Sequence, residues 1–161
     1  MRIKDSVMAD LEDFQAWSAN GPAPIDLLDY VGFIAKPDYV FAFAALLMPE
    51  LVTREGHRFM ASRFSIETYD SWRAKGATPR EIQRVMNHLH VQTLVQGQEV
   101  GDEVATEVAR VIGAIWERTL GPEGLLVEVI GGDYFELAVT FCEKGAAPPS
   151  NGSHVDDRPS I

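Results

Sequence analysis

The 161-residue sequence predicts an α+β single domain, with about five helices packed on a small antiparallel sheet built from two β-hairpins. Three observations predict it. Several segments repeat apolar residues at helical spacing behind capping signals. Two pairs of short alternating runs flank turn-forming residues, Glu55-Gly56 and Gly131-Gly132-Asp133. One long stretch, Pro37–Met48, is almost wholly apolar and suits a core position. A 46% hydrophobic composition is ordinary for a globular chain, and this length can bury a real core. The domain is expected over residues 1–144, and the Pro/Gly/Ser-rich stretch 145–161 as a disordered or extended tail.

In chain order, Ser6–Ala19 reads as a helix capped by Ser6, with Val7, Leu11, Phe14 and Trp17 at helical spacing. Gly21-Pro22-Ala23-Pro24 breaks it, and Ile25–Ile34 forms a short second helix. Pro37 presets the first turn of the next, Asp38 suits its positive end, and Pro49 stops it. A helix apolar all round is normally buried, so this one is expected at the centre of the core, with a buried strand as the alternative. It is too short to span a bilayer. Glu50–Phe64 is a hairpin turning at Glu55-Gly56, and Ser65 caps a helix that Gly76 ends. Thr78-Pro79-Arg80-Glu81 joins a capping box to a proline at the first helical position, and Ile82, Val85, Met86 and Leu89 form the inward stripe behind it. Around Leu89–Val95 the helix fades into residues that also suit a strand. After a break at Gly97–Gly101, Asp102–Leu120 is a helix with Val104, Val108, Val111, Ile112 and Ile115 inward and Glu103, Glu107, Arg110 and Glu117 outward.

The second hairpin, Leu125–Glu143, allows a register to be derived. A three-residue Gly131-Gly132-Asp133 loop sets Val129 against Phe135, Val127 against Leu137 and Leu125 against Val139, giving one wholly apolar face. On the other, open face Glu128 then lies opposite Glu136, a like-charge pair that costs roughly 0.2–1 kcal/mol. Solvation and salt relieve such a pair, as would an arginine from the middle segment, a cation or a basic partner.

Charge is uneven along the chain: −5 over residues 1–50, +3 over 51–96 and −8 over 97–161, for a net of −10. Such a chain is repelled by nucleic-acid phosphates and attracts a basic protein. Cys142 is the single cysteine, so no intrachain disulfide forms and a cytoplasmic setting is expected. The first residues lack the apolar core of a signal peptide, and no membrane segment is read.

Candidate chemistry is sparse. His88 and His90, two apart on a helix, point in different directions and share no metal, although in a strand they would share a face. His57 sits at the first hairpin turn beside Glu55 and Arg58. Cys142 has carboxylates for neighbours, which oppose thiol activation. Neither a zinc motif, a P-loop nor a G-x-S-x-G is present. Gly131-Gly132-Asp133 resembles the GGD of cyclic-dinucleotide synthases but lacks that family's length and context, and reads as a turn. No metal, cofactor or nucleic acid is therefore expected. Trp17, Trp72 and Trp116 are interface anchors wherever they are exposed, Trp72 first among them.

Size, acidity and missing catalytic motifs resemble small bacterial immunity proteins and antitoxin-like inhibitors. The leading expectation is a protein-binding module that docks a basic partner through Glu103, Glu107, Glu128, Glu136 and Trp72. Two alternatives stand beside it: a small enzyme joining a histidine to a carboxylate, and a homodimer or larger homo-oligomer that buries the open sheet face.

Overall fold

The computed structural model describes residues 5–21, 26–94, 101–132 and 135–145. Those residues form a mixed α+β chain of eight helices and two small antiparallel sheets. The expected Ser6–Ala19 helix is two, α1 (Asp5–Ala9) and α2 (Glu12–Asn20), because Leu11 leaves helical geometry and Glu12 and Asp13 start a fresh first turn. Then come α3 (Leu27–Ile34), opened by an Asp26–Asp29 capping box, and α4 (Pro37–Leu47), opened by its proline. Most of the Gly21–Pro24 break, residues 97–100 of the second break with 95 and 96 before it, Asp133 of the second loop with Tyr134 after it, and 146–161 of the tail lie outside the described residues.

The first hairpin, β1 (Leu51–Arg54) and β2 (His57–Met60), turns at Glu55-Gly56 as expected. Both turn residues have positive φ, 51° and 80°, which matches the twist of the flanking strands. Next are α5 (Ile66–Ala74), capped by Ser65, and α6 (Pro79–Met86), with the Thr78–Glu81 capping box complete. Helix α6 ends before the histidines, and Leu89–His90 is a short strand, β3. One turn of helix, α7 (Val91–Leu94), precedes α8 (Asp102–Leu120). The second hairpin is β4 (Leu125–Gly132) and β5 (Phe135–Glu143).

The two hairpins form separate sheets rather than one. Strand β5 is central to the second, in the order β3-β5-β4, while β1 and β2 stand apart. Side chains of α6 fill the gap between them. The Met60 N–H donates to Asn87 Oδ1 (2.9 Å), and Asn87 Nδ2 donates to the carbonyls of Phe141 (3.0 Å) and Arg58 (3.2 Å). One turn earlier, Gln83 Nε2 donates to the Arg58 carbonyl (2.9 Å) and Gln83 Oε1 accepts from the Glu143 N–H (3.1 Å). Two buried amides thus do for β2 and β5 what a strand ladder would do. Their place on the inner face turns the expected stripe: Ile82, Gln83 and Met86 are buried, and Val85 faces out.

The second hairpin corrects the derived register. Val129 pairs with Val139, Val127 with Phe141, and Glu128 with Thr140, so Glu128 and Glu136 are not opposite one another. The shift is four residues, an even number, so the side chains keep their expected faces. Between the Ile130–Ala138 and Gly132–Phe135 pairs, Gly131 opposes two residues, a bulge. A Cβ at Gly131 would come within 2.7 Å of Leu137, so any other residue there requires the Leu137 side chain to shift.

Helix α8 covers one face of this sheet, with Trp116 against Phe141 and the small stripe Ala105, Ala109 and Gly113 buried. The other face, expected to be open, is covered by α6 along β5, where Ala138, Thr140 and Cys142 are buried, while Ile130 of β4 stays exposed. The Thr140 hydroxyl donates to the Arg84 carbonyl (2.8 Å).

Candidate partner-binding surface

The apolar run at Pro37–Met48 is helical but not central. Among the described residues of α4, only Ala44, Leu46 and Leu47 are partly covered, where the last turn meets α8. There the Trp116 indole N–H donates to the Leu46 carbonyl (3.0 Å). The first two turns face solvent all round, with Phe41 74% and Phe43 59% exposed. Helix α3 is similar. Tyr30 packs on Phe14 and Trp17 of α2, while Leu28 is 77% and Phe33 72% exposed. Ala35 and Lys36 join the two helices, which pack on α2 and α8 rather than on one another. Asp29, Lys36 and Asp38 are the charged residues over 27–48. The result is an apolar arm anchored at its two ends.

The scale of this surface sets it apart. Four aromatic side chains on the arm are 53 to 74% exposed; at about 200 Å² each they present on the order of 500 Å². With Leu28, Val31, Ile34, Val40 and Met48 added, the total is on the order of 1,000 Å², above the roughly 300–600 Å² of the largest apolar patch on a typical monomer.

The expected acidic residues are largely engaged within the chain. Glu107 is 3% exposed, not outward, and pairs bidentately with Arg110. Glu128 pairs bidentately with Arg84, the intramolecular arginine expected as one source of relief. Each arginine is held in its charged form first by the hydrogen bonds to its carboxylate. Glu103 is exposed and accepts from the Ser6 hydroxyl (2.7 Å). Glu136 lies in β5, and its side chain is outside the description. Trp72 is 37% exposed with the Lys75 ammonium 5.4 Å from its ring. Trp116 is buried, and Trp17 is half-buried against Tyr30 and Phe33.

The histidines do not follow the helical expectation. Because α6 ends at Met86, His88 and His90 share a face, their rings stacked 4.3 Å apart. His57 sits at the other sheet, opposite Arg54. Among the described residues no group of three or more His, Cys, Asp or Glu is placed to hold a metal. A shallow depression of about 600 Å³ on the sheet is lined by Arg84, Glu128, Val129, Ile130 and Gly131, with no histidine in it. Among the described residues no helix is long and apolar enough to cross a membrane.

Sequence reasoning located the arm but placed it inside. No signal in residues 27–48 marks their exposure: a largely apolar helix calls for cover on every side and does not say which chain supplies it. No family model matches the chain, and neither a curated protein nor a solved structure matches it.

Proposed function

We propose that this protein is a protein-binding module and that the α3–α4 arm is its contact surface. The observation that carries this reading is the exposure of Phe33, Phe41 and Phe43 on helices with almost no charge. Exposed aromatic side chains supply binding energy when a partner removes them from water. Charge has the secondary role. Glu107 and Glu128 already have arginine partners, so the acidic exterior steers a partner at a distance more than it grips one. The inhibitor-like form of the reading, in which a basic protein is captured, rests on the net charge of −10 and on exposed Glu103 and Glu117 of α8.

A photoreactive phenylalanine analogue at position 41, used in the native host, tests the reading. The expected result is a discrete protein adduct at that position and none when the same group replaces the exposed Glu67 of α5. Equal labelling at both positions, or none at position 41, overturns it.

A further inference from the structure

The arm's chemistry narrows its occupant. Within the chain, residues 146–161 offer little to cover it: Val155 and Ile161 are their only large apolar side chains. A lipid surface is a poor match, since an interfacial helix pairs its apolar face with lysines and arginines, and the arm holds Lys36 alone in a chain of net charge −10. A strongly basic partner gains little from a contact that carries three charges in 22 residues. The surface is complementary to another neutral apolar surface.

We infer that the arm's partner is a second copy of this chain, joined about a two-fold axis with the α4 helices antiparallel; this rests on the reading of the arm as a contact surface. Three observations carry it. The first is area. Apolar surface on the order of 1,000 Å² lies over α3 and α4 of each copy, against the roughly 800 Å² per partner of a stable interface, so the contact draws on α3 as well as α4. The second is shape. A two-fold contact must be self-complementary, and α4 alternates large and small exposed residues. Phe41 and Ala45 lie one turn apart on the same strip, so antiparallel pairing seats Phe41 over the partner's Ala45 and the reverse. The third is charge. Two bodies of −10 repel one another, and the arm is where they can meet with the least charge between them. Antiparallel pairing also sets the helix dipoles head to tail and places the two Asp38 carboxylates at opposite ends of the contact.

Sedimentation of the full chain tests the inference. The expected mass rises with concentration toward twice 17.8 kDa. Association strengthens with salt, because salt screens the repulsion between like-charged copies; a basic partner would show the reverse dependence. Phe41→Glu abolishes the doubled mass at every concentration, and because Phe41 is 74% exposed the variant keeps the wild-type circular dichroism and the Tm of the dissociated wild type. Ala45→Glu, at a second site on the same strip, has the same effect. A doubled mass that persists in both variants overturns the inference, as does a series of larger polymers or flotation of the wild type on phosphatidylcholine vesicles. A 17.8 kDa particle at all concentrations, with adducts to a different protein from position 41, overturns the dimer and leaves the contact surface standing. A 17.8 kDa particle with no adduct overturns both.

Discussion

The seam between the two sheets and the α3–α4 arm solve opposite problems. At the seam, Gln83 and Asn87 are fully buried and engage four backbone groups, those of Arg58, Met60, Phe141 and Glu143. Polar atoms there are taken out of water and each of these is given a partner. On the arm, large apolar side chains such as Leu28, Phe41 and Phe43 are left mostly in water. Burying an amide without a hydrogen bond costs about 1–3 kcal/mol, so the seam tolerates no loosening. Exposed apolar surface costs nothing structurally specific, but it is available to a neighbour. The contrast separates a scaffold from a surface, and substitutions should separate them too.

The largest effect is expected at Trp116, which is fully buried against Phe141 and bonded to the Leu46 carbonyl. Trp116→Ala should cost about 4 kcal/mol in denaturant unfolding. It should also release the end of α4, read as faster hydrogen exchange there. Next is Asn87→Leu. It leaves the Met60 N–H and the Phe141 carbonyl without their partner at a site with no room for solvent, an expected loss of about 3 kcal/mol.

A smaller effect, with a pH signature, is expected at the rim of the seam. Arg58 forks onto Glu143 through Nε (3.1 Å) and Nη2 (2.9 Å). Burial works against the Glu143 carboxylate, but the hydrogen bonds and charge of Arg58 outweigh it, and its pKa lies below the ordinary value. A carboxylate depressed in the folded state contributes stability above its unfolded pKa, about 4.3, and loses it as pH falls through the lower folded value. Arg58→Met leaves burial opposed only by the weaker hydrogen bonds from the backbone at position 58 and from Gln83. Unfolding near neutral pH should show a loss of about 1 kcal/mol, and the acid limb of the stability profile should move to higher pH. An unmoved acid limb would show that Glu143 does not depend on Arg58.

The smallest effect on stability is expected on the arm. Phe41→Ala removes as large an aromatic ring as any in the seam, yet should shift unfolding by less than about 0.5 kcal/mol in the dissociated protein. A cost near that of Trp116→Ala would mean that the ring is packed inside the chain, and the contrast would collapse.

Local chemistry was legible in the sequence. The Glu55-Gly56 turn, the Thr78–Glu81 capping box and the bounds of α8 depend on residues within one turn of each other, and the structure has them where expected. Alternation fixed the faces of the second hairpin, but not the register, because a shift of four residues preserves the faces. At the bulge Gly131 meets Leu137 across the ladder, a contact that spacing alone does not encode. The inward turn of Gln83 and Asn87 was illegible because two polar residues on a helix signal an outer face unless a gap between sheets awaits them. Glu107 was missed for a different reason: it lies across α8 from the stripe Ala105, Ala109 and Gly113, on a side that periodicity marks as outward, and yet it is buried. The arm was misplaced because hydrophobic periodicity reports what needs cover, and not whether the same chain supplies it.

Hydrogen exchange at the amides of Tyr39–Phe43, followed against protein concentration, tests the division between scaffold and arm most directly. Exchange there should be fast in dilute protein and slow as concentration rises, while the core amides of α8 stay protected throughout. Protection at Tyr39–Phe43 equal to that of α8 in the most dilute sample, unchanged by concentration, would contradict it and return this helix to the interior.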